Sequence, residues 1–212
     1  MRENSTDQSE SPSVASEQLL YSLRQNEFVW ECLQRLAALT LPSWYLGAGC
    51  IAQTIWNVAH AKPATVDIAD YDIVYFDPDL SAEAESDVAR CVHVQLADLP
   101  IRLDVKNQAR VHLWYEGYFG YKIRAYTSCE DALASWPTTA TAVGIRWIDN
   151  TLQVYAPFGT DDLFSLTVRP NRVQITPAIY EAKVDRWTKR WSQLKIMSWE
   201  QGIGVPGSRW II

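Results

Sequence analysis

The sequence predicts an α/β fold, and three observations carry that prediction. WYLGAGC is a short apolar strand that runs through glycines straight into a helix-patterned stretch. Ile73-Val74-Tyr75-Phe76 has strand composition and is followed by a turn and another helical segment. A third apolar strand follows at Ile101–Val105, so strands and helices alternate along the middle of the chain. With 212 residues, 48% of them hydrophobic, the chain has enough apolar surface for a sizeable core.

The elements justify themselves in order. Residues 1–15 are rich in serine and acids and predict a disordered tail. From Ser16 to Leu39 helical spacing dominates, through Leu19, Leu20, Leu23, Phe28, Val29, Cys32, Leu33 and Leu36. Asn26 falls at a break and is placed to cap a second helix. An apolar helix is expected from Ile51 to about Ala59, then a loop over roughly His60–Ala69, then the acidic strand near 70–76. Ser81 opens a helix whose early acids Glu83, Glu85 and Asp87 suit the positive end of its dipole. Past the third strand lies KNQARVHLWY. Ser128 with Asp131 three residues later is a variant of the capping box. AVGIRW and LQVYAP flank Asp149-Asn150 and read as a hairpin. A helix around Ala178–Leu194 carries Trp187 and Trp191 one turn apart, and residues 196–212 are expected to form a surface tail. The body of the domain is thus expected over 16–195.

Charge and cysteine usage exclude some partners. A formal net charge of −6 argues against an extended surface for double-stranded DNA, although a local basic pocket remains compatible with it. The four cysteines, Cys32, Cys50, Cys91 and Cys129, show no metal-binding spacing and read as free thiols in a reducing compartment. The start, MRENSTDQSESPSVAS, lacks the basic opening and apolar core of a signal peptide, and no apolar run has membrane-span length. A cytoplasmic protein with no membrane association is the expectation.

The stretch DIADYDIVYFDPD concentrates acids in and around a strand. Asp70 and Asp72 are two apart, so an extended chain points them to one face, where they repel each other. Either the strand end projects into solvent and the acids are hydrated, or a divalent cation compensates them. Asp67 lies outside the strand, and Asp77 falls on the other face and suits a turn cap. Asp104 is a lone acid on the third strand, with Arg102 and Lys106 as possible ion partners.

In chain order, a strand ending in a glycine turn before a helix, a strand with D-x-D and a strand with one more acid resemble the polymerase-β-like nucleotidyltransferase superfamily. GAGCIAQTIWN, DYDIVYFD, LDVKNQARVH, TATAVG, YAPFGTDDLF and VRPN extend the resemblance over roughly residues 40–195, to a small family of nucleotidyltransferase proteins once grouped as a domain of unknown function. The resemblance implies a polymerase-β-like fold: a short mixed sheet flanked by helices, with a C-terminal hairpin and helix.

It also implies a site. Gly47, Ala48 and Gly49 correspond to the turn that holds nucleotide phosphates at a helix start. Members usually carry serine or a second glycine where Ala48 stands, so here a hydroxyl donor is missing and the backbone has more to do. The gap from Gly49 to Asp70 is also longer than usual. Asp70, Asp72 and Asp104 correspond to the carboxylates that hold Mg2+ (or Mn2+), with Asp104 nearest the acceptor hydroxyl. Lys106 and Arg110, after the third strand, are the cations expected to balance a triphosphate. Arg146 is a weaker candidate. Asn107 and Gln108 are placed to orient a base or ribose, Trp56 and Trp114 to stack on one, and His112 reads as a packed histidine.

The function expected is transfer of a nucleoside monophosphate from an NTP to an unidentified hydroxyl acceptor (RNA, protein or small molecule) with release of pyrophosphate. A non-catalytic nucleotide-binding module and a metal-dependent phosphoesterase are the alternatives.

Overall fold

Asn26 shows how closely the chain follows its local signals. Its side chain accepts hydrogen bonds from the N–H groups of Phe28 and Val29, ending one helix and starting the next. The structure is a computed structural model and describes residues 14–204. The expected tail lies outside those residues, except that positions 14 and 15 already belong to α1 (Val14–Arg24). Asn26 separates α1 from α2 (Glu27–Ala37).

Then come β1 (Tyr45–Gly47), α3 (Gly49–Ala59), β2 (Tyr71–Tyr75), α4 (Ala82–Gln95) and β3 (Leu103–Asn107). A 3-10 turn leads into α5 (Val111–Phe119), followed by α6 (Cys129–Leu133) and the hairpin of β4 (Gly144–Ile148) and β5 (Thr151–Tyr155). The chain closes through α7 (Asp161–Phe164), β6 (Thr167–Val168), α8 (Pro177–Thr188) and β7 (Lys195–Ile196). Ser81 and Ser128 cap α4 and α6 as their sequences predict. Asp149 and Asn150 both take positive φ, the conformation a two-residue hairpin turn requires.

The five-stranded sheet has the order β3-β2-β1-β4-β5. Only β2 and β3 are parallel, and α4 makes the crossover between them, so the sheet is mixed as expected. One face, carrying Leu46, Tyr71, Ile73, Tyr75, Val105 and Ile145, joins the main core with α1 to α3. The other face carries Tyr45 and Val74, which pack on Cys129 and Leu133 of α6.

The expected surface tail differs from what forms. Residues 195–196 pair with β6, and Ile203 bridges to Asn171, so the segment as far as Gly204 is tied to the body by backbone hydrogen bonds. Glycine and proline breaks in the sequence hid this pairing, because a two-residue strand leaves no periodicity. All four cysteines are free thiols. No helix among the described residues is long and apolar enough to cross a membrane.

Candidate active site

Strand register brings the central residues together. Gly47 of β1 pairs with Asp72 of β2, and Asp72 pairs with Asp104 of β3. Alternation then points Asp72 and Asp104 the same way as Val74 and Lys106, away from the main core. Asp70 precedes Asp72 by two residues and stands near enough to repel it.

The electrostatics of this row are unbalanced. Burial, then repulsion by Asp70 and Asp104, pushes the Asp72 carboxyl up to about 7. Lys183 of α8 and a hydrogen bond from the Gly49 N–H act in the opposite direction. Lys183 is itself pushed below the usual lysine range, first by burial and next by Arg186, while Asp72 and Asp70 pull it back. Asp104 also forms an ion pair with Lys106, at 2.8 Å. Among the described residues no three acidic, histidine or cysteine side chains close into a ready cation cage.

The turn before α3 has an unusual backbone. Ala48 takes φ +51° and ψ −110°, a conformation that favours glycine, while its N–H donates to the Val143 carbonyl. Lacking a hydroxyl, it gives the first turn of α3 no side-chain cap. The flanking glycines make room for protein groups. A Cβ on Gly47 would lie 2.5 Å from the Trp136 ring, and one on Gly49 would lie 2.8 Å from Gln53 Nε2 and 3.5 Å from Asp70 Oδ1. The Trp136 ring and the Gln53 amide thus come closer to these two glycines than a side chain there would allow.

In front of this turn lies a cavity of about 530 Å3. Its floor is Ala48, Asp72, Val74 and Lys106 from the sheet region. Trp114, Tyr115, Tyr118 and Phe119 of α5 form an aromatic wall, with Tyr126 and Trp136 beside it. Lys183 and Arg186 of α8 complete the lining with two cations.

The expected site residues fall into two groups. Asp72, Ala48, Lys106, Gln108 and Trp114 line the cavity; Gly47 and Asp104 pair with Asp72 in the sheet, and Asp70 and Gly49 stand beside it. Other residues are employed elsewhere. Arg110 is ion-paired with Glu85 and donates to the Leu80 carbonyl, which ties the loop before α4 to the end of β3. The Asn107 amide is consumed by backbone groups of Asp77, Asp79 and Ala109. Trp56 is fully buried, edge-on to Trp187 and Trp191. Arg146 lies over the Tyr45 ring and bonds Gln153. His112 buries Nδ1 without a partner. Asp77 caps the turn, accepting from the Asp79 N–H.

Lys183, Arg186 and Trp136 were not among the sequence candidates. A signal existed for the first. Tyr180, Trp187 and Trp191 mark the buried stripe of α8, and Lys183 stands on that stripe, where a lysine is out of place. The long loop before Asp70 also gains a role. It receives Asn57 Nδ2 at the Ala64 and Val66 carbonyls, Arg190 at the Asp67 carbonyl, and Gln53 Oε1 at the Ala69 N–H. One loop thereby joins α3, the acidic strand and the end of α8.

A sheet of this order, with acids in register beside a strand-turn-helix, defines the nucleotidyltransferase class of fold. A family model described as Nucleotidyltransferase matches residues 34–196, most of the chain, and the protein belongs to that family. No curated protein sequence matches it significantly. A protein whose NMR structure is described as revealing a CCA-adding enzyme head domain is similar, with a TM-score of 0.68. The two are 26% identical, over 86% of this chain and 95% of that one.

Proposed function

We propose that the protein transfers a nucleoside monophosphate from an NTP to a hydroxyl acceptor, releasing pyrophosphate, with magnesium or manganese held by Asp70, Asp72 and Asp104. The observation that carries this reading is Asp72: a carboxylate lining a cavity, crowded by two other acids and held well above its ordinary range. Such a group wants a cation, and its hard oxygens suit magnesium. That ion commonly takes one or two protein carboxylates and completes its shell with water and phosphate. When bound, the ion would neutralise charge on the phosphates and on the departing pyrophosphate.

The chain's own groups do the rest. The Gly49 N–H fixes the Asp72 carboxylate, and Gln53 fixes the approach to Asp70 by accepting from the Ala69 N–H. Lys106 turns from Asp104 to the phosphates, which frees Asp104 to take the proton of the acceptor hydroxyl. The aromatic wall of α5 receives the flat base and excludes water around it. The acceptor carries a hydroxyl on RNA, on protein or on a small molecule, and the labelled product identifies it.

One observation favours a second reading, a non-catalytic nucleotide-binding module: the ion pair that already engages Asp104 and Lys106 with each other. Incubating the protein with cell extract and each of the four NTPs, radiolabelled at the α-phosphate, separates the two. Transfer of label with stoichiometric pyrophosphate supports the enzyme. NTP binding with no transfer from any of the four supports the module.

A further inference from the structure

Lys183 is half-buried yet makes no salt bridge and no hydrogen bond among the described residues. Its Nζ rests 5.8 Å from the centre of the Trp187 ring. Arg186, one turn along the same helix, likewise has no ion pair there, and the two cations repel each other. The guanidiniums that organise the fold behave differently: Arg35, Arg110 and Arg169 all reach carboxylates within ion-pair distance. Side chains that share the Lys183 stripe pack into the core, so an apolar residue there would be the stabilising choice. The lysine is therefore held for something the protein alone does not supply.

The surroundings define that partner. Lys183 and Arg186 line the same cavity as Asp72 and Lys106, and Lys183 is near enough to Asp72 for the two charges to act on each other. A cation bound at Asp70 and Asp72 cancels the attraction those acids exert on Lys183. The cavity end then carries Lys106, Lys183, Arg186 and the bound ion, with two carboxylates already committed. A neutral nucleoside or acceptor would leave these charges uncompensated. A chain of phosphates compensates several at once, and several closely spaced cations favour it over a single carboxylate.

We infer that Lys183 and Arg186 of α8 form a polyphosphate clamp that holds the β- and γ-phosphates of the NTP and then the departing pyrophosphate. The inference rests on the nucleotidyl-transfer reading for its setting but adds residues from an element the acidic strands do not include. It also orients the substrate: phosphates lie toward α8, and the base lies toward Trp114 and Tyr118 of α5. Because the loop over 60–69, which runs directly into Asp70, is bonded to Arg190 just past α8 and to Gln53 of α3, the clamp and the acids share one support.

The test measures binding of inorganic tripolyphosphate to the full chain by titration calorimetry, with magnesium present. Lys183→Gln is expected to weaken binding by about tenfold or more, the worth of one charge-assisted hydrogen bond in a partly desolvated site. Arg186→Gln, at an exposed position that spares the core, should weaken it by a smaller factor, and Lys189→Gln, exposed outside the cavity, should leave it unchanged. Lys183→Met should also raise the Tm of the ligand-free protein, whereas a lysine serving the fold would lower it when removed. Tripolyphosphate binding equal to wild type in both Lys183→Gln and Arg186→Gln overturns the clamp, as does a wild type that binds no tripolyphosphate. Label transfer from NTPs, measured in parallel, judges the nucleotidyl-transfer reading separately: transfer that survives in both variants leaves that reading standing while the clamp falls.

Discussion

Two acidic clusters in this protein are built in opposite ways. Beside α7, Asp162 accepts from Thr139 Oγ1 at 2.6 Å and from Arg169 Nε at 3.0 Å, so its charge is fully partnered. At the start of β2, Asp72 is crowded by Asp70 and Asp104, and Lys183, the cation that acts on it, makes no ion pair with it. The first cluster ties Thr139, Asp162 and Arg169 together and spends the Asp162 charge within the fold. The second stores unfavourable electrostatics that a bound cation and phosphates would relieve. The difference separates acids that build the fold from acids that wait for chemistry.

The comparison is most easily broken by exchanging charge for amide at each cluster. Asp72→Asn should cut nucleotidyl transfer by on the order of a hundredfold or more, the scale of losing one preorganised electrostatic group. It should leave the ligand-free protein as stable as before or more so, and urea unfolding beside a transfer assay reads both effects. Asp162→Asn should do the reverse. It is expected to cost about 1–3 kcal/mol of stability by leaving Arg169 short of its partner. Transfer per folded molecule should persist. If Asp72→Asn instead destabilises strongly, the acid belongs to the fold and the contrast fails.

A pH series sharpens the same contrast. In the folded chain the Asp72 carboxyl is pushed from 3.8 up to about 7, so the folded state holds that proton longer than the unfolded state does. Stability of the metal-free protein should then fall as pH rises between those values, and the penalty should be absent below them. The groups facing Asp72 are Asp70, Asp104 and, from α8, Lys183. Thermal melts across this range should slope downward for wild type and flatten for Asp72→Asn. A smaller effect is expected at Ala48, whose positive φ disfavours a side chain. Ala48→Gly should stabilise by about 1 kcal/mol, within the range of backbone strain at such positions, as read from the urea midpoint.

Much of this site could be read from the sequence because strand signals and acids coincide. The apolar run around Ile73 marks β2, and the two-residue spacing predicts that Asp70 crowds Asp72, which agrees with its repulsion of that carboxyl, although the strand itself starts only at Tyr71. Asp104 could be aligned with them because β3 is also an apolar strand, although only the parallel register set it beside Asp72. Arg110 was harder to read, since sequence order puts it after β3 but its partner, Glu85, lies on the crossover helix. Trp136 was invisible for a related reason, and Lys183, although its place on a buried stripe was a signal, gave no hint of the cavity: both reach it from more than sixty residues beyond Asp72. Local patterns say which face a residue takes on its own element. They do not say which distant element that face will meet.

The packing of Trp136 against Gly47 has an optical consequence. Among the described residues, Trp114 and Trp136 line the cavity, while Trp56, Trp187 and Trp191 are sealed in the core. Light emitted by the sealed group is shielded from an added quencher such as acrylamide, whereas Trp114, at 38% exposure, is accessible to it. A nucleotide seated in the cavity would cover Trp114 and change the polarity around Trp136 while leaving the sealed group untouched. The protein therefore carries its own fluorescent gauge of occupancy, readable without a label.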